Sequence, residues 1–72
     1  MNKNDKNINQ MYGLTLKKIR FQKELSQEEL AFRAGLDRTY ISSLERGKRN
    51  PSLVTMDKIA RALDVKLSVF FD

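Results

Sequence analysis

The 72 residues suffice for one small domain, short of the length at which a single core is comfortably stable alone. Fourteen Lys and Arg against nine Asp and Glu leave a net charge of +5, which suits a polyanionic partner. With no Cys and no His, disulfides, thiolate and histidine catalysis and the usual zinc sites are excluded, so no enzyme, metal site or cofactor is expected.

Residues 1–10 hold four Asn and two Lys, with Met1 and Ile8 the only apolar side chains. Such a segment buries too little to order itself, so a flexible polar tail over 1–10 is expected, followed by a single domain over 11–72. The other reading of the tail is a basic arm laid along a polyanion. It lacks the apolar stretch of a signal peptide, and no apolar run in the chain approaches the ~18 residues of a membrane span. A cytoplasmic protein with no membrane attachment and no small-molecule ligand is therefore expected.

The spacing of Tyr12, Leu16 and Ile19 predicts a first helix from about Met11 to Lys23, with Arg20 beside the apolar face. Leu14, Lys18 and Phe21 fall on a different face. Ser26 and Glu29 have capping-box spacing, in which hydroxyl and carboxylate each satisfy a free backbone N–H, so a second helix begins at Gln27. Leu30, Ala31 and Ala34 form its narrow buried side and Phe32 its outer one. Gly35 ends it in the left-handed conformation.

Leu36 continues the core, and Asp37 is an N-cap for a third helix running through Arg46 to Gly47. At about 100° per residue from Arg38, Ser42 falls at about 40°, Arg46 at about 80°, Thr39 at about 100° and Ser43 at about 140°. Ile41 and Leu44, at about 300° and 240°, lie opposite, and Tyr40, at about 200°, sits on the flank. The outward face thus carries two guanidinium groups and three hydroxyls with no carboxylate between them. Arginine pairs bidentately with guanine O6 and N7, and Ser and Thr adapt to several base edges, so Arg38, Thr39, Ser42, Ser43 and Arg46 are candidate base readers. The alternative is an ordinary solvated helix face.

Lys48, Arg49 and Asn50, closed by Pro51, place positive charge beside that face, where phosphate contacts would fix register; Tyr40 is a further candidate for the backbone. Ser52 caps a fourth helix whose Leu53, Met56, Ile59, Ala60 and Leu63 are expected to face the core. The last segment, Lys66 to Phe71, is too apolar for a solvated tail. Leu67 and one of the two phenylalanines should close the core, and the remainder with Val69 offers a twofold dimer contact, for which Val69, Phe70 and Phe71 are the candidates. A monomer with a tucked terminal helix is the other reading.

The helix-turn-helix resembles the Cro/C1-type, or XRE, family of bacterial and phage transcription regulators. The matching residues are Gly13, Leu16, Ile19, Arg20, Ser26-Gln27-Glu28-Glu29-Leu30-Ala31, Gly35, Ile41, Leu44-Glu45-Arg46-Gly47, Asn50-Pro51-Ser52 and Ile59-Ala60-Arg61-Ala62-Leu63. They span about residues 12 to 71 without a gap. Leu36 to Ser42 is similar to the recognition region of restriction–modification controller proteins. The resemblance implies an all-α, compact five-helix, lambda-repressor-like DNA-binding domain with a central helix-turn-helix. It also implies a homodimer on a near-palindromic stretch of double-stranded DNA, a phosphate contact from Gln27, and an ion pair of Arg20 with Glu45. The family often has Gly where this chain has Asp64, so the end of the fourth helix is expected to differ. Two other functions share the fold: a protein-interaction module using Leu14, Phe21, Phe32 or Phe71, and an antitoxin that binds its own promoter.

Overall fold

Four α-helices and a terminal 3₁₀ turn make up the described chain: α1 over Lys3–Gln22, α2 over Gln27–Ala34, α3 over Arg38–Glu45, α4 over Leu53–Ala62, and the turn over Leu67–Phe71. They are seen in a computed structural model that describes residues 3–71. The all-helical expectation agrees with this, but the fifth helix is not an α-helix. The segment closes instead on three-residue bonds such as that from the Val69 N–H to the Lys66 carbonyl, 3.0 Å.

A second correction concerns the amino end. The first helix begins at Lys3 and not at Met11, so most of the expected flexible tail is helical. Once α1 exists, each added residue gains a backbone hydrogen bond without a new nucleus, and Asn9 is buried against the body. The expected tail's Met1 and Asn2, and the terminal Asp72, lie outside the described residues.

Six side chains are fully enclosed: Leu16, Leu30, Ile41, Leu44, Ile59 and Leu63, drawn from all four helices. Each contributes about 1.5–3 kcal/mol by leaving water. Tyr12, Ile19, Leu25 and Ala31 complete this core, and Tyr40, Met56, Val65 and Phe70 pack against it. Leu53, expected inside, is 64% exposed: as the first residue of α4 it projects beyond the neighbouring helices.

The helix ends follow local chemistry. The Ser26 hydroxyl accepts from the Glu29 N–H and the Glu29 carboxylate accepts from the Ser26 N–H, both at 3.0 Å. The Ser26 N–H, and after it the Ser26 hydroxyl, hold the Glu29 carboxyl below its usual range. Asp37 accepts from the Thr39 N–H at 2.9 Å, and Ser52 from the Thr55 N–H at 3.1 Å. Past α4, Asp64 adopts the left-handed conformation itself, φ 58°, so that the Val65 N–H reaches the Ala60 carbonyl. The helix therefore ends as a glycine would end it, with the strain carried by an aspartate.

Gly13 sets the spacing of α1 and α3. A methyl group there would collide with the Leu44 carbonyl oxygen and come within 2.9 Å of that of Glu45. The two backbones touch with no side chain between them.

Candidate nucleic-acid interface

The third helix is gripped from behind. Ile41 and Leu44 are fully buried, and Glu45 behind them meets Arg20 of α1 through two parallel bonds, Nε to Oε2 at 2.6 Å and Nη2 to Oε1 at 2.9 Å. The remaining Arg20 nitrogen donates to the Leu25 carbonyl at 2.8 Å. The hydrogen bond to Glu45 holds the guanidinium's pKa above its ordinary value, against the opposing effect of burial. A bidentate pair in this setting fixes orientation more than it adds stability, since desolvation offsets much of the attraction.

Gln27, at the first position of α2, extends this pair to the surface. Its amide nitrogen donates to Glu45 Oε1 at 3.0 Å, and its amide oxygen accepts from Arg38 Nη1 at 3.4 Å. Arg20, Glu45, Gln27 and Arg38 thus form one chain from the interior to the outward face of α3. The amide-to-carboxylate bond was not legible in the sequence, because it joins residues distant along the chain.

Of the five candidate base readers, Arg38, Thr39 and Arg46 are exposed and Ser42 is half-buried. Arg46 Nε lies back on the Ser42 carbonyl at 3.4 Å. Ser43 is a correction: it is only 9% exposed, and its hydroxyl donates to the Thr39 carbonyl one turn earlier at 2.9 Å. Its angle placed it at the edge of the outward face, next to the buried side, and its hydroxyl turns back onto its own helix.

Lys48, Arg49 and Asn50 are exposed beside the helix. The chain enters this loop through Gly47 at φ 72°, packed so closely on α1 that a methyl group would sit 2.7 Å from Gln10 Cγ. Tyr40 is half-buried, and the Arg49 guanidinium lies over its ring at 5.5 Å from the centroid. Gln27, Tyr40 and the loop therefore flank α3 on both sides.

Of the proposed dimer residues, Phe70 packs inward on Tyr12, ring centroids 4.8 Å apart, whereas Val69 and Phe71 face outward. Ile8, Met11 and Met56 join the phenylalanines around a shallow apolar groove. Ile8 was hidden by reading residues 1–10 as a tail, although its spacing to Met11 is helical. On other faces Leu14, Phe21 and Phe32 are exposed, and the Arg20 guanidinium lies 4.6 Å from the Phe21 centroid. No helix among the described residues is long and apolar enough to cross a membrane.

Comparison with known proteins agrees with this geometry. The helix-turn-helix family model HTH_3 matches residues 16–70. The control protein C.MunI from a Mycoplasma species is 52% identical over 61 residues, covering 83% of this chain and 82% of that protein. C.BamHI from Bacillus amyloliquefaciens is 49% identical, covering 83% and 75%. The crystal structure of the restriction–modification controller protein C.AhdI from Aeromonas hydrophila superposes with a TM-score of 0.86 at 48% identity, covering 88% of this chain and 96% of that one. The controller C.Esp1396I, seen as a tetramer on its natural 35 base-pair operator, superposes with a TM-score of 0.83 at 41% identity, covering 89% and 84%.

Proposed function

Since the chain belongs to the helix-turn-helix family of transcription regulators, we propose that it binds a specific DNA operator as a homodimer and acts as a restriction–modification controller. The observation that carries this reading is α3: fixed behind by Glu45 and Arg20, it leaves Arg38, Thr39 and Arg46 exposed on one face. Arg38, Thr39, Ser42 and Arg46 reach base edges in the major groove. Lys48, Arg49, Asn50 and Tyr40 hold the DNA backbone, together with Gln27 at the start of α2, where free N–H groups favour an anion. Ser43 is left out of the reading set, because its hydroxyl is already engaged.

Two copies pack through Val69, Phe70 and Phe71, with Met11 and Met56 beside them, and present two α3 helices to successive major grooves roughly 34 Å apart. The operator is then a near-palindrome with half-sites roughly one helical turn apart.

Selection of random duplex fragments by the purified protein tests this. Enrichment of a near-palindrome is expected, with Arg38→Ala relaxing the preference at one symmetric position. Fragments recovered without a shared sequence would refute the reading.

A further inference from the structure

The two arginines on the outward face of α3 are held differently. Arg46 Nε lies on the Ser42 carbonyl at 3.4 Å, a contact within its own chain segment. Arg38 Nη1 donates instead to the side-chain oxygen of Gln27 on α2, also at 3.4 Å, and the Gln27 side-chain nitrogen donates to Glu45 Oε1 at 3.0 Å. Glu45 is buried, 8% exposed, and clasped by Arg20. An exposed arginine is thus tied, through one half-buried amide, to a charge in the interior.

Chemistry fixes the polarity of this chain. A carboxylate clasped by a guanidinium only accepts, so the Gln27 amide must turn its nitrogen inward and its oxygen outward. An arginine only donates, so that oxygen is the end of the amide it can use. Every donor meets an acceptor, and the amide, polarised by the anion behind it, is a stronger acceptor for Arg38 than a free glutamine would be. The bond engages one of five N–H groups and leaves the rest of the guanidinium for guanine O6 and N7.

We infer that Glu45 is a positioning residue for sequence reading: without touching DNA it sets the Gln27 amide, and the amide holds Arg38 in the orientation in which it meets a base. An arginine free to swing finds acceptors on a wrong base pair too, and must lose rotamer freedom on the right one. Ordering it beforehand widens the gap between right and wrong by about three- to ten-fold, the size of one immobilised side chain. The inference rests on the DNA-binding reading above and gives a second role to a residue whose ion pair otherwise only secures α3.

The test repeats the selection of random duplexes with Arg38→Ala, Arg46→Ala, Gln27→Met, Glu45→Gln and the double variant Gln27→Met/Arg38→Ala. The two arginine variants mark which operator position each side chain reads. Gln27→Met keeps the length of the side chain, lies outside the core and removes both amide bonds. Preference at the Arg38 position should fall about three- to ten-fold while preference at the Arg46 position holds. The double variant should lose no more preference than Arg38→Ala alone. Glu45→Gln should show the same selective loss, because a second amide lets Gln27 turn its nitrogen outward. The parent supplies a reading of the inner bond that needs no change at Glu45: the Gln27 side-chain amide should exchange its hydrogens with water more slowly than the amide of exposed Gln22. Unchanged preference in Gln27→Met, a loss spread evenly over all positions as expected of a phosphate contact or a displaced α3, or exchange at Gln27 as fast as at Gln22 would each overturn the inference while leaving DNA binding intact. If the unaltered protein selects no operator, it is the DNA-binding reading itself that fails.

Discussion

The two helices of the central motif have the same length and are held in opposite ways. The second has a side-chain cap in front, a left-handed glycine behind, and only Leu30 and Ala31 buried. The third buries Ile41, Ser43, Leu44 and Glu45, half of its eight residues, and one of the four is a carboxylate tied to α1. One helix is defined by its own ends, the other by its attachment to the rest of the fold. An element that must offer its front to a partner is best fixed from the back, where neither hydrogen bonds nor apolar contacts compete with the partner for the same side chains.

The largest effect should come from cutting that attachment. Glu45→Ala strands the Arg20 guanidinium in a dry site and frees the Gln27 amide, and should cost about 3–5 kcal/mol, read as a lowered urea midpoint. A loss below about 1 kcal/mol, the range of surface pairs, would erase the contrast between the two helices. Next comes Gly13→Ala, which drives a methyl group into the Leu44 and Glu45 carbonyls. It should cost about 1–3 kcal/mol by overpacking and weaken DNA binding beyond the stability loss by displacing α3, whereas the better helix propensity of alanine would stabilise a helix without that neighbour.

Removing one cap from each helix sharpens the comparison further. Ser26→Ala and Asp37→Ala should each cost about 1 kcal/mol in thermal unfolding, but amide exchange should rise locally in α2 only, since α3 is pinned elsewhere. Acid acts on the same cap. The Glu29 carboxyl is lowered in the folded state, so its stabilisation is present above the ordinary carboxylate range and lost as the pH falls through the folded value. Glu29→Gln should flatten that part of the stability–pH curve. The smallest effect is a gain: Asp64→Gly relieves a left-handed aspartate and should add about 0.5–1 kcal/mol, against the entropy glycine loses on folding.

The same contrast explains what the sequence alone discloses. Features written within a few residues were legible: the Ser26 and Glu29 box, the Asp37 cap, the Gly35 stop and the buried stripe of Leu16 and Ile19. The pairing of Arg20 with Glu45 came through family resemblance, because no local rule joins residues so far apart. Ser43 was misplaced because a helical wheel gives an angle and not the bonds a side chain makes, and here the hydroxyl turns back on the Thr39 carbonyl. Residues 3–10 read as a tail because composition measures what a segment can bury alone, whereas here it continues a helix nucleated further along. Leu53 shows the converse: an apolar residue in register with a buried face stays outside at the first position of its helix.

The contact of Gly13 with the carbonyls of α3 has a consequence for redesign. Because the distance between those helices is set by main chain meeting main chain, the height at which α3 stands above the body does not depend on which residues decorate its front. New side chains can be written at 38, 39, 42 and 46 without retuning the scaffold, so altered sequence preference should be reachable by local substitution, provided the glycine stays.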